Sequence, residues 1–346
     1  MRIAVDAFGT DGAPEVEVEG AVRASLETEA EIILVGDAET LEERIKAHPK
    51  HGNVRVVHAA ERVTMDDSPV VAVRRKKNSS LSVALRLVRD GHANAAVSAG
   101  NTGAVMIAAR TIVGPLKGVS RAAICQALPT ATGSVAVLDL GANVGCTARH
   151  LCEFAEMGIA YSHHALGVER PRVGLLNIGE EALKGTQVAK EVHRQLSAAP
   201  HVHFIGNIEP RAIYAGEADV AVCDGLVGNL FLKTSEAAGL FLGKMVREQF
   251  ESSSMSKMGA ILARKALKAI KQRVDPNEYP GAPLLGVNGI VIIMHGSATP
   301  VGVANAIRGA CVAFENRLNE HIRENIEELR KVEREMRLQL GIAQHA

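Results

Sequence analysis

Short apolar runs recur along the chain at 3–5, 32–35, 54–57, 95–97, 134–138, 173–176, 202–205, 220–222 and 290–294, and most end in Gly, Asn, Asp or His. Runs of this length bounded by turn residues read as buried strands. Between many of them lie helix-length segments such as 15–28, 79–89 and 184–196. The alternation predicts an α/β fold, a mostly parallel sheet with helices on both faces. In such folds ligands sit at the carboxyl ends of the strands. The unusual residues fall there: Asp6-Ala7-Phe8-Gly9, the segment 98–103, Asp139-Leu140-Gly141-Ala142-Asn143, Asn177-Ile178-Gly179, Gly206-Asn207, the segment 224–229 and His295-Gly296-Ser297. Any one of these turns also reads as plain loop structure, but their shared placement points to a composite site. A GxGxxG fingerprint follows none of the strands, which counts against a Rossmann dehydrogenase.

Two regions depart from the alternation. Residues 237–274 read as two helices broken around Ser252-Ser253-Ser254, a helical hairpin inserted in the α/β body. On a helical wheel Met255, Met258, Leu262, Ala266 and Ala269 share one face of the second helix, and Lys257, Arg264, Lys268 and Lys271 line the other, with Lys265 adding to the charge. Such a helix either packs on the core or docks an acidic protein or an anionic bilayer. Residues 314–340 place Leu318, Ile322, Ile326, Leu329, Val332 and Met336 at helical spacing amid dense charge, as expected of a helix packed on the body or on a dimer partner.

Composition narrows the function. A chain of 346 residues can build one large α/β domain, 1–346, or two lobes around a cleft. Basic and acidic residues balance at 39 each, aromatics are 3% and Trp is absent, so nucleic acid is not an expected partner. The five cysteines show no CxxC spacing, which argues against a zinc site or a disulfide framework and fits a reducing cytoplasm. The chain runs straight into Arg2-Ile3-Ala4-Val5-Asp6 without a leader pattern, and no apolar run approaches the ~20 residues of a membrane span. The expectation is a cytoplasmic protein, soluble or peripheral on the membrane.

The segment 95–109 is the strongest single candidate for chemistry. An apolar strand breaks at Ser98 and Ala99 into Gly100, Asn101, Thr102 and Gly103, then reopens as a helix. Glycines let the backbone approach a ligand, and the first N–H groups of a helix favour an anion such as phosphate or a carboxylate. The alternative is an ordinary turn capped by Thr102. Cys223 beside Asp224 reads as a thiol nucleophile or as a small buried residue at a strand end. The run Arg74-Arg75-Lys76-Lys77 reads as a solvated face or as a recognition surface for phosphate or an acidic protein.

Read in order, the turns carry a resemblance. Segments 5–14, 73–80, 98–104, 138–144, 173–179 with Lys184-Gly185, 204–207, 224–229 and 295–297 resemble, colinearly over nearly the whole chain, the bacterial phosphate acyltransferases (acyl-carrier-protein:phosphate transacylases) of phospholipid synthesis. Thr10 and Gly12 depart from that pattern, which carries Gly and His there. So do Gly145, where Asp is common, and Glu180-Glu181-Ala182-Leu183, where Thr-Glu-Asp is typical. The resemblance implies a fold like that of phosphotransacetylase and isocitrate dehydrogenase. It also implies transfer of a long acyl chain from acyl carrier protein to inorganic phosphate, with no metal and no cofactor. A near alternative is a phosphotransacetylase-type enzyme using acyl-CoA; a third is a noncatalytic carrier or membrane scaffold.

Phosphate dianion is already a nucleophile near neutral pH, so catalysis reduces to holding it against the thioester and stabilising developing charge. Phosphate is expected at Ser98, Gly100, Asn101, Thr102 and Gly103, with Asn143, His295 and Ser297 as neighbours and Ser79 and Ser80 farther out. Lys184 and Asn229 are the expected catalytic residues, Lys184 neutralising the oxyanion or phosphate and Asn229 donating a hydrogen bond to it. Arg264, Lys265, Lys268 and Lys271 are expected to dock the acidic carrier protein. Further expected partners are a downstream glycerol-3-phosphate acyltransferase, an anionic membrane surface and a second copy of the chain.

Overall fold

The computed structural model describes residues 1–339, with side chains to 335; Leu340 and the Met336 side chain lie outside the described residues. Among the described residues, eleven strands form one sheet. Its first half contains β1 (Arg2–Asp6), β2 (Glu31–Gly36), β3 (Val54–His58), β4 (Ala95–Ser98) and, late in the chain, β11 (Ile290–Ile293). These pair in parallel in the order β3-β2-β1-β4-β11. The other half contains β6 (Ser134–Leu138), β7 (Val173–Leu176), β8 (Phe204–Ile208) and β9 (Val220–Val222), parallel in the order β6-β9-β7-β8.

Two strands not visible as apolar runs, β5 (Ala123–Pro129) and β10 (Ala282–Leu285), join the halves through three antiparallel pairings, β11 with β10, β10 with β5 and β5 with β6. Three reversals leave the two parallel halves running in opposite directions. The carboxyl ends of β1, β4 and β11 therefore face one edge of the sheet, and those of β6, β7, β8 and β9 face the other. The turns expected to share one edge are divided between two. Gly206 and Asn207, expected in a turn, lie inside β8.

Strand alternation builds two cores. Ile3, Val5, Ile32 and Leu34 point to one face, Ala4, Ile33 and Val35 to the other, and all are fully buried. The first face is covered by α1 (Glu15–Glu27), α2 (Ala38–Lys46), α6 (Ala148–His164), α7 (Gln187–Ser197), α12 (Pro300–Glu315) and α13 (Leu318–Gln339). The second is covered by α3 (Pro69–Arg75), α4 (Ser80–Arg89), α5 (Thr102–Ala108) and α8 (Pro210–Ala215). Each fully buried Ile or Leu contributes about 1.5–3 kcal/mol, and the stacking of helices on both faces follows from that burial.

The hairpin differs from its expected form. It begins at Gly225, because Asp224 accepts the Leu226 amide at 2.9 Å and caps α9 (Gly225–Glu251). After the expected break come α10 (Ser254–Leu262) and α11 (Arg264–Val274), separated at Ala263. The single helical wheel drawn over both does not hold across that break. Leu240, Phe241 and Met245 of α9 and Met255, Met258, Ile261 and Leu262 of α10 are exposed, so this surface is not packed on the core.

The amphipathic C-terminal helix packs on the body: Leu318, Ile322, Ile326 and Leu329 of α13 are buried. An ion pair clamps it there. Glu153 of α6 is fully buried and accepts the Ser120 amide and hydroxyl, each at 2.8 Å, together with Arg149 and Arg330. Arg330→Ala leaves that carboxylate with Ser120 and Arg149 alone, and is expected to cost about 2–3 kcal/mol in denaturant unfolding; a change below 1 kcal/mol would show that the pair behaves like a surface contact.

Candidate active site

Most of the expected phosphate residues gather at the edge formed by β1, β4 and β11. Asp6, at the end of β1, is buried and accepts the Ser98 hydroxyl at 2.7 Å and the Phe8 amide at 3.4 Å; the nearby Ser80 hydroxyl also helps to hold its carboxyl down. Burial pushes the Asp6 carboxyl above its ordinary range, and these hydrogen bonds pull against it. Ser98 in turn accepts the Gly100 amide at 3.1 Å. Ser79 caps α4 and donates to the Ser82 hydroxyl at 2.9 Å. Its role is local, whereas Ser80 joins the Asp6 group.

The turn after β4 is capped by Asn101, not by Thr102. Asn101 Oδ1 accepts the Ala104 amide at 3.1 Å, and its Nδ2 donates to the carbonyls of Met65 and Asp67 at 3.0 and 3.2 Å. That side chain is committed to the cap and the neighbouring loop. Thr102 is exposed, and the amides of Thr102 and Gly103 have no acceptor among the described residues. The turn after β11 lies alongside: the Met294 amide donates to the Ser98 carbonyl at 2.9 Å, and the Asp11 amide to the Gly296 carbonyl at 2.8 Å. Within that turn His295 Nδ1 lies 2.7 Å from the Ser297 hydroxyl and accepts the Ser297 amide at 3.2 Å.

Asn143 and Asn229 belong to the other half of the sheet. Asp139, after β6, is fully buried and accepts the amides of Ile124, Gly141, Ala142 and Asn143 at 2.7–3.2 Å. Asn143 Nδ2 donates to Asp139 at 2.9 Å and to the Ala122 carbonyl at 2.7 Å, so its amide group holds the loop. Asn229 is exposed on α9 and lies along Gly141, where a Cβ would come 3.4 Å from its own. It belongs to a helix, not to a turn after Gly228. β4 and β6 are four pairing steps of ~4.8 Å apart.

Lys184 occupies a third place, the exposed loop before α7, with its ammonium 3.9 Å from Glu181. The helix expected from residue 184 begins at Gln187 behind its Thr186 cap. Asn177 ties the loop by donating to the Lys184 carbonyl at 3.1 Å, and Gly185 adopts φ +85° where a Cβ would strike Asn177. Cys223 is buried, and burial with the nearby Asp139 and Asp224 charges pushes its thiol far up. Burial and those charges both oppose formation of a thiolate there. Of the basic run, Lys76 pairs with Asp67, and Arg74, Arg75 and Lys77 are exposed.

The chain matches a family model described as "Fatty acid synthesis protein" over residues 1–321. It is 49% identical over 329 residues to the phosphate acyltransferase of Pelotomaculum thermopropionicum, covering 95% of this chain and 96% of that one. With the phosphate acyltransferase of Geobacter sulfurreducens it shares 46% identity over 328 residues, 94% of each chain. The chain belongs to the phosphate acyltransferase family. Its fold is that of the phosphotransacetylases: the Streptococcus pyogenes enzyme superposes with a TM-score of 0.63 at 19% identity, covering 91% of this chain and 94% of that one. A branched-chain phosphotransacylase from Enterococcus faecalis gives 0.57 at 15% identity, over 90% and 98%. Membership makes the chain an acyltransferase with phosphate as acyl acceptor. Among the described residues no helix is long and apolar enough to cross a membrane.

Residue-type reasoning missed Glu17, whose carboxylate holds Gly9 and Thr10 of the same edge. The available signal was a charge on the buried face of α1, beside Val18 and Ala21. Burial pushes its carboxyl up to about 7; Thr10 hydrogen bonds oppose the rise and the Asp6 charge adds to it. With the folded value above the ordinary 4.5, the contribution to stability is complete at low pH and is lost as pH rises through about 7. Unfolding free energies measured from pH 5 to 8 are therefore expected to fall on the order of 2–3 kcal/mol further in the wild type than in Glu17→Gln. Parallel profiles for the two proteins would contradict the burial argument.

Proposed function

We propose that the acyl donor is the thioester of a long-chain acyl carrier protein and that phosphate attacks it directly, from a seat at the 98–103 turn. The observation that carries this reading is the convergence of three polar turns, 9–11, 98–103 and 295–297, on one sheet edge, where the Thr102 and Gly103 amides open a helix. Main-chain N–H groups at a helix start suit a phosphate dianion. A phosphate oxygen adds to the thioester carbonyl carbon, the carbon–sulfur bond breaks, and the carrier thiolate leaves. No acyl-enzyme is formed, in keeping with the buried Cys223.

Lys184 and Asn229 lie at the opposite edge of the sheet from that seat, so their proposed role, stabilising charge on the reacting carbonyl, is exerted from a second copy of the chain. Their alanine variants are expected to lower kcat by roughly 100-fold while Tm holds, as loss of one charge-stabilising donor does. Thr102→Ala should raise KM for phosphate more than KM for the acyl carrier protein, and Cys223→Ser should keep most activity. Acyl phosphate formation assayed with long-chain acyl carrier protein and with acetyl-CoA tests the donor. Equal turnover with acetyl-CoA would favour the phosphotransacetylase reading, and a dead Cys223→Ser with a trapped acyl-enzyme would rule out direct attack.

The hairpin is the proposed meeting place for the larger partners. Arg264, Lys265, Lys268 and Lys271 of α11 are all exposed, a basic surface suited to an acidic carrier protein. The exposed apolar residues of α9 and α10 suit a second copy of the chain and an anionic membrane, from which acyl phosphate passes to a glycerol-3-phosphate acyltransferase. Reversing the charge of Lys268 and Lys271 is expected to raise KM for the carrier protein and to spare a short acyl-thioester analogue. Replacing Met258 and Leu262 with Glu should reduce liposome binding more than soluble turnover. Equal damage to both substrates would make the segment structural only.

A further inference from the structure

Glu17 lies wholly inside the molecule, and among the described residues no cation pairs with it. Its Oε1 accepts the amides of Gly9 at 3.1 Å and Thr10 at 2.7 Å, and its Oε2 accepts the Thr10 hydroxyl at 3.0 Å. Burying a carboxylate is costly, and three donors from one short loop offset part of that cost. The group therefore ties the 9–10 main chain rigidly to α1. That main chain is itself wedged against the turn after β4. A Cβ on Gly9 would lie 2.7 Å from the Gly100 nitrogen and 2.9 Å from the Ala99 carbonyl carbon. One residue further on, the Asp11 amide bonds the Gly296 carbonyl at 2.8 Å, reaching the turn that holds His295. A displacement of Gly9 or Thr10 is thus passed directly to both neighbouring turns.

We infer that Glu17 is a positioning residue for phosphate: by fixing Gly9 and Thr10 it sets where the Gly100 to Gly103 main chain stands, without touching the anion. The inference rests on the reading that phosphate binds at this edge. A role confined to stability would lower Tm and leave substrate constants alone; a positioning role moves one constant selectively.

The test is steady-state acyl phosphate formation, with inorganic phosphate and the acyl carrier protein varied in turn, beside isothermal titration with inorganic phosphate alone. Glu17→Ala is expected to raise KM and Kd for phosphate about tenfold, with KM for the carrier protein within about twofold, and Glu17→Gln to recover most of the loss. Thr10→Val removes only the hydroxyl link; it is expected to shift phosphate KM by about threefold, and it stands in if Glu17→Ala does not fold. A folded Glu17→Ala with wild-type phosphate constants, or equal changes for both substrates, overturns the inference; so does an unchanged Thr10→Val where Glu17→Ala fails to fold. Thr102→Ala, run in parallel, separates the two levels. If it shifts phosphate KM while the Glu17 variants do not, the phosphate seat stands and the positioning role falls. If the Glu17 variants shift it and Thr102→Ala does not, the positioning role stands and the Thr102 contact falls.

Discussion

Two buried carboxylates, Asp6 and Asp139, hold the loops that carry most of the candidate site residues, one in each half of the sheet. Asp6 gathers Ser98, Ser80 and the Phe8 amide, and Asp139 gathers four main-chain amides and the Asn143 side chain. A carboxylate in a dry interior is tolerated only when it is fully hydrogen-bonded, so the loops cannot drift without exposing or orphaning it. This coupling turns short glycine-rich turns, which would otherwise be mobile, into fixed surfaces. Charge-stabilising catalysis needs that fixity, because donors that must reorganise during the reaction contribute less.

The same constraint explains which residues are spent and which remain available. Asn101 and Asn143 carry the donors an anion site would use, yet both side chains are engaged in holding main chain. What remains at the 98–103 turn is the main chain itself and Thr102. Direct attack by phosphate suits such a surface, because the nucleophile arrives charged and requires no activated side chain. The thiol best placed to be mistaken for a nucleophile, Cys223, is buried beside carboxylates that oppose its ionisation.

Much of the fold was legible because its inner parallel strands are buried on both faces and therefore read as continuous apolar runs, as at 32–35 and 134–138. The two joining strands were not. β10 has four residues including Pro283, and β5 interrupts its apolar residues with Gln126, so neither stands out from a loop. Their absence from the reading hid the reversals, and with them the division of the turns between two edges. Caps misled in a related way: the Asp-Gly start of α9 looked like a turn, and only three-dimensional contacts show Asn101, not its neighbour Thr102, satisfying the start of α5. Glu17 lay in plain view as a charge on an apolar helical face, but its meaning depends on a loop folding back over it.

Phosphate is proposed to sit where α5 opens, at the edge shared by the 9–11, 98–103 and 295–297 turns. A crystal structure of the protein with inorganic phosphate tests it most directly. Tetrahedral density is expected within hydrogen-bond reach of the Thr102 and Gly103 amides. Phosphate held instead at the 139–143 loop beside Asn229, with the 98–103 turn bare, would contradict it.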